Sequence, residues 1–407
     1  MMDFDLKEGA MAEKFQTITE LYESTAKAVT ATPSHWGAFL TFACRNYRLP
    51  FDELLLIYAQ RPDATAVLEI EWWNQRFGRW VNRGAKGIAV FDRERPTRLR
   101  YYFDVSDTHE TRMSRPVPLW TVREEYALDI IETLENSFGE LEHREDLGDA
   151  LLSAAKNAVE DNMGDYLAEL EQLTQGSLLE ELDGDNLALQ FRTVLGNSVA
   201  AMLLARCGID PASYLEDEDF QDVGNFNTPE THNALGVATR DIARMCLDEI
   251  ARTVISLERQ AQKKIAHLQI PPQICMLKPE NPKTYQKGAN TMEVTYTMQG
   301  NYLMPDLLPP QEEPISLGKY ARMRKRFLQE HRKITYTNLL TSGRLSSHLA
   351  EIQQTAQRRM AQIVAQMAKA QGVTEELKAS DQMKWVQMMN NLRNAAEEIV
   401  QAELIYN

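Results

Sequence analysis

Cysteine is scarce in this chain and never clustered. Cys44, Cys207, Cys246 and Cys275 stand far apart, with no CxxC pair and no close histidine, so neither a disulfide framework nor a zinc site is legible. No apolar run approaches the roughly 18 to 20 residues that a membrane span requires. The opening MMDFDLKEGAMAEKF also lacks the basic and apolar regions of a signal peptide. The expectation is a cytoplasmic protein with no membrane partner. Catalytic signatures are missing as well, since HExxH, GxSxG, GxGxxG and EF-hand patterns do not occur. Gly78, Gly84 and Gly87 with Lys86 imitate a phosphate-cradling loop, but five residues separate the first two glycines and Gly87, not Ser or Thr, follows the lysine. These absences point to a non-enzymatic protein with no catalytic residues, no metal ligands and no cofactor.

What is present is an ordinary globular composition, 43% hydrophobic and 25% charged, over 407 residues. That length predicts two to three domains at about 150 residues each. The 44 basic and 59 acidic residues leave a net charge of −15, unevenly spread. From Lys283 to Asn407 there are 16 Lys and Arg against 12 Asp and Glu, a net of +4, which leaves −19 for everything before.

Residues 11–30 and 34–60 read as helices, with Ser34 as a cap and Pro50 as a stop before FDELLLIYAQ. After Arg79 the texture changes to GRWV, GIAVFD, RLRYYFDV and VPLWTV, short aromatic and β-branched runs that read as strands. Residues 123–262 alternate apolar and acidic positions at helical spacing, broken at Gly184, Gly208 and Asn225 to Pro229. Four prolines then mark 263–291 as a linker. In the tail, Leu345 to Met367 and Trp385 to Val400 form two amphipathic stripes, the first ending at Gly372. The predicted fold is an α+β N-terminal domain with a small antiparallel sheet (1–122), an acidic all-α region (123–262), the linker (263–291) and a C-terminal helical bundle (292–407), mainly α overall.

Residues 76–91, RFGRWVNRGAKGIAVF, concentrate cations, aromatics and glycines in an otherwise acidic chain. Arg76, Arg79, Arg83 and Lys86 supply phosphate-neutralising charge, Trp80 and Phe77 supply stacking faces, and Gly84 and Gly87 let a turn approach a backbone. Arg98 and Arg100 with Tyr101 continue the texture. The alternative is that Trp80, Val81, Ile88 and Val90 are core and the cations a solvated face. Downstream, DVSDTHE offers Asp104, Asp107, His109 and Glu110 as a divalent-metal cluster, against a strand end with ordinary caps. In the tail, Lys319, Arg322, Arg324, Lys325, Arg326, Arg332 and Lys333 fall within 15 positions, dense enough for a phosphate-contacting helix.

Through LLLIYAQRP, WWNQRFGRWVNRGAKGIAVF and YFDVSDT, the run from His35 to Thr108 resembles the single-stranded-DNA-binding domain of the ArdC antirestriction family. Gly78, Arg79, Val81, Gly84, Lys86, Gly87 and Ile88 fit that family's pattern, Asp107 stands where Gln is usual, and the family's metalloprotease part has no counterpart. The wider block to about Arg259 resembles the N-terminal region of large helicase and methylase-like proteins of conjugative transposons. From Met292 onward, NYLMPDLLPP, LGKYARMRKRFLQEHR, HLAEI, GVTEELKASDQMKWVQMMNNLRNAAEEIV and ELIYN resemble the transposon-encoded TnpV family. Together these resemblances imply an accessory protein of a mobile element that binds single-stranded DNA and counters host restriction. The competing expectation is an interaction module that inhibits a host defence nuclease through the acidic helices. Oligomeric state and sequence preference are not legible.

Overall fold

Threonine caps start the first helices of the chain. The computed structural model describes residues 16–117, 119–267, 293–310 and 317–406. Helix α1 (Ile18–Val29) opens on a capping box in which Thr17 accepts from the Glu20 amide and the Glu20 carboxylate accepts from the Thr17 amide. Helix α2 (Pro33–Ala43) is capped by Thr32, whose hydroxyl accepts from the His35 amide at 3.2 Å. The cap is therefore not Ser34 but Thr32, two residues earlier: Pro33 has a helix-compatible φ and no N–H to satisfy, so it takes the first helical position. Helix α3 (Phe51–Gln60) follows Pro50, and α4 (Ile70–Phe77) ends at Gly78, which takes φ +62°.

The sheet elements are short. Strands β2 (Val67–Leu68), β5 (Leu99–Asp104) and β4 (Ile88–Phe91) pair antiparallel in that order, with Val67 opposite Asp104 and Ile88 opposite Tyr102. Strand β3 (Trp80–Val81) pairs with β6 (Thr108–His109). All four residues of β4 are buried, which explains its unbroken apolar run IAVF. The run VPLWTV forms no strand among its described residues. Pro116 withholds a ladder donor beside it, and Trp120 is buried under the Arg206 guanidinium, 3.5 Å from its ring, which also bonds the Trp120 carbonyl.

Helices α5 (Ala127–Phe138), α6 (Leu147–Leu170), α7 (Gly184–Cys207) and α8 (Pro229–His267) form the acidic region. Part of the acidity is local: Asp146 and Asp183 cap α6 and α7 through the amides of Asp149 and Asn186. Helix α7 is long and apolar enough to cross a membrane by composition, yet Val194, Leu195, Val199 and Leu203 are buried against the neighbouring helices. These helices are not a separate body. Tyr22 bonds Asn233 at 2.5 Å, Thr30 meets His232 at 2.6 Å, and the Trp36 indole donates to Ser198 at 2.8 Å. Arg240 donates to three successive carbonyls, of Tyr47, Arg48 and Leu49, at 3.2, 2.6 and 2.7 Å. Position 122 is thus no seam, because α1 to α3 bury their apolar faces on α7 and α8.

Two compact units result, Met1–Asp92 with Arg98–Pro309, and Arg93–Thr97 with Pro310–Asn407. The first unit includes strands from the segment expected to be wholly helical: β7 (Tyr296–Gln299) and β8 (Tyr302–Pro305) form a hairpin, and β9 (Leu307–Leu308) runs parallel to β1 (Gln16–Thr17). The expected linker lies mostly outside the described residues, and α8 continues through its start to His267.

The second unit is helical: α9 (Lys319–His331), α10 (Lys333–Thr341), α11 (Leu345–Ala370), α12 (Glu375–Ser380) and α13 (Gln382–Val400). The expected stripes supply the core, with Ala356, Ile363, Ala396 and Val400 buried beside Tyr320 and Ile405 and with Met360 and Met367 at its edge, whereas Ile399 of the second stripe is exposed. Helix α11 ends just before Gly372, at φ +66°. The chain is mainly α with small sheets, antiparallel except for the β1–β9 pair.

Candidate nucleic-acid interface

The stretch 76–91 begins on the last turn of α4, passes through β3 and ends in β4, so successive cations point to different surroundings. Arg79 is committed to the fold. Its side chain is only 11% exposed, and it donates to the Thr108 hydroxyl at 2.7 Å and to Glu110 at 2.6 Å, tying β3 to β6. Arg100 is equally engaged, reaching the buried carboxylate of Glu53 at 2.8 Å, Glu69 at 3.5 Å and the Tyr102 hydroxyl at 2.6 Å. Burial, then Glu53, push the Tyr102 phenol well above its ordinary pKa, so it remains a donor. Tyr101 is half-buried against the cluster of Trp73, Phe77, Val81, Ala85 and Phe103.

Four cations do face outward. Arg76 is exposed, with its guanidinium 5.9 Å from the ring of Trp72, which is itself 51% exposed. Arg83, Lys86 and Arg98 are exposed, and Trp80 is 54% exposed on β3. Phe77 is buried, so of the two stacking faces expected in this stretch only Trp80 is available. Trp72 is the aromatic that the sequence reading left out. Its signal was the four-residue spacing to Arg76, which puts both on one helix face, while adjacent Trp73 turns inward and donates to the Phe103 carbonyl.

The glycine turn is covered by protein. The Gly84 amide donates to the Asn301 carbonyl at 2.7 Å, the Gly87 amide to the Leu303 carbonyl at 2.7 Å, and the Leu303 amide returns a bond to Ala85 at 2.9 Å. Tyr302 packs on Phe103 at 5.2 Å, Met304 lies where a Gly87 side chain would start, and Lys86 sits 4.9 Å over the Tyr296 ring. The close approach that Gly84 and Gly87 permit is therefore made by the β7–β8 hairpin.

DVSDTHE is held by the strand end. Asp104 is 1% exposed and accepts from the amides of Thr65, Ala66 and Ser106 at 2.7, 3.0 and 2.9 Å. Asp107 pairs with Arg61 at 2.5 Å, although burial still raises its carboxyl above the usual range. His109 meets the Asn82 side chain at 2.7 Å. No three metal-ligating groups converge among the described residues.

In the second unit the cations of the basic helix α9 all have partners, but Lys319, Arg322 and Arg326 remain exposed and only Arg324 and Lys325 are drawn into the fold. Lys319 pairs with Glu397, Arg322 donates to the Leu317 carbonyl at 2.9 Å, and Arg324 to the Ile405 carbonyl at 2.8 Å. Lys325 is buried within 3.8 Å of Glu94, and Arg326 pairs with Glu330. Arg332 is half-buried and Lys333 exposed. Burial and nearby Arg332 lower the Arg324 pKa, the signature of a cation held inside a fold.

Residues 295–405 match the family described as transposon-encoded protein TnpV. That match takes in α9 to α13 and also the β7–β8 hairpin, which belongs to the other compact unit. It ties the C-terminal quarter of the chain to a transposon. No curated protein and no solved structure matches the chain.

Proposed function

We propose that this transposon-associated protein is a non-enzymatic, cytoplasmic binder of single-stranded DNA, and that the α4–β3 face of its first unit makes the contact. The observation that carries the reading is the pair of half-exposed indoles, Trp72 and Trp80, with Arg76 packed over the Trp72 ring and Arg83 exposed further along the same stretch. Leaving half of each ring in water forfeits roughly half of the about 1.5 to 3 kcal/mol that full burial gives, and base stacking contributes about 1 to 3 kcal/mol per base. Exposed guanidinium groups add phosphate contacts whose counterion release makes affinity fall with salt. The resemblance of residues 35–108 to the ArdC domain supports the same ligand and suggests an anti-defence role.

The test is fluorescence anisotropy of a labelled single-stranded oligonucleotide with the full-length protein across a salt series. Binding should weaken as salt rises with a log-log slope near 0.7 per phosphate contact. Trp72→Ala with Trp80→Ala should weaken it at least tenfold at an unchanged melting temperature. Salt-independent binding, or an unaltered affinity in the double variant, would remove the proposal and return attention to the acidic helices and a host protein.

A further inference from the structure

Helices α11 and α13 of the second unit pack along each other, and toward Gly372 a groove of about 640 Å³ opens between them. Its floor is apolar, with Met360, Val364 and Ala368 of α11 across from Trp385 and Met389 of α13. Ala361 and Ala365 form one wall and are exposed, so no bulky side chain projects from it. Val386, 38% exposed, stands two turns before Arg393 and so on the same side of α13. The two ends of the groove carry opposite charge. Gln357 and Arg393 stand at one end and Val373 and Glu375 at the other, roughly 16 Å apart by the helical rise of about 1.5 Å per residue from 357 to 368. Arg393 is exposed and makes no ion pair among the described residues. The Glu375 side chain is 81% exposed and meets Lys378, three residues on, at 3.2 Å, while Lys378 also lies 4.8 Å over the Trp385 ring. A surface pair of that spacing is weak and leaves the carboxylate available to a second cation.

We propose that this groove is a self-association surface, and that its occupant is the same α11–α13 face of a second copy of the chain. A two-fold axis through the middle of the groove reverses the direction of the second copy. The apolar floors then meet, and each Arg393 comes to the partner's Glu375. One pair of residues thereby supplies two ion pairs, the self-complementary pattern that an isologous dimer requires. The alanine wall lets helices of the two copies approach to the usual interaxial distance of about 8 to 10 Å. A small amphipathic ligand would use one charged end of the groove, whereas a second copy uses both. Twelve residues line the groove, against about 20 to 30 on each side of a standard interface, so the dimer is a weak one that forms at micromolar concentrations.

The experiment is sedimentation equilibrium of the 407-residue protein from low to high micromolar concentration, which should show a monomer–dimer equilibrium. Glu375→Arg alone, or Arg393→Glu alone, sets like charges against each other at both ends of the interface and should weaken association at least tenfold. An equal mixture of the two variants restores opposite charges at both ends and should form a one-to-one dimer about as tight as the unaltered protein. A variant that had merely unfolded could not be rescued in this way. Lys384→Glu, exposed on α13 but not lining the groove, should leave association unchanged. Four outcomes overturn the proposal: a monomer at every concentration, a dimer indifferent to both reversals, a mixture of the two variants that stays monomeric, or an equal loss in Lys384→Glu.

Discussion

Lowering the pH should loosen the first unit through one residue, His232. It lies in the first turn of α8, 3% exposed, against the Thr30 hydroxyl at the end of α1. Burial, assisted by the charge of Lys27, pushes its imidazole down from 6.5 to about 4. Because the folded protein refuses a proton that the unfolded chain accepts, this contribution is complete above about pH 6.5, falls as pH drops, and is exhausted below about pH 4. At roughly 1.36 kcal/mol per pKa unit, the gap amounts to about 3 kcal/mol in full, of which about 2 kcal/mol is lost between about pH 7.5 and pH 5. Glu23, whose carboxyl is raised by burial and by Glu230 and Glu20, contributes with the opposite sign in the acidic part of this range. The comparison must therefore be with His232→Gln, which keeps a hydrogen-bonding group beside Thr30 but cannot titrate. Urea unfolding followed by circular dichroism at several pH values gives the two stability curves. Their difference should grow by about 2 kcal/mol toward acid. Parallel curves would mean that His232 is protonated in the fold or reaches water, and the reasoning would fail.

Arg100→Ala should destabilise the first unit by roughly 2 to 3 kcal/mol, less than a fully buried pair because Arg100 keeps part of its surface in water, whereas Arg83→Ala should leave the melting temperature unchanged; equal effects would show that the two arginines had been sorted wrongly. Gly236→Ala places a Cβ 2.1 Å from the ring of Phe51, itself 3% exposed, so thermal unfolding should report a loss of at least about 2 kcal/mol despite the gain in helix propensity. Gly196→Ala, on α7 with nothing within 4 Å, should instead gain about 0.5 to 1 kcal/mol, and a loss there would indicate an unseen contact.

Helices were legible because their apolar stripes repeat over many turns, as from Leu345 to Met367 and along α7. The central strands were legible too, since IAVF and RYYFD are β-rich and bounded by turn residues. The hairpin at 296–305 was missed although Gly300 and Asn301 between TYTMQ and YLMP are a two-residue turn signal; it was overshadowed by the helical character of everything after it. The domain seams were misread for a different reason. The Arg240 guanidinium meets the backbone carbonyls of residues 47–49, acceptors that leave no trace in composition or periodicity. Site residues divided the same way: positive charge is visible in a sequence, but the carboxylates that occupy Arg79 and Arg100 are distant in the chain and appear only when the strands pair.

The parallel pairing of Gln16 with Leu307 and of Thr17 with Leu308 bears on how the protein emerges from the ribosome. Strand partners at opposite ends of the first unit cannot meet until residue 308 has been made, and closing so long a loop is slow compared with helix formation. Helices α1 to α3 must wait for α8, and β1 waits longer still. A nascent chain halted before β9 would therefore carry an unpaired β1 edge, open to pairing with another chain.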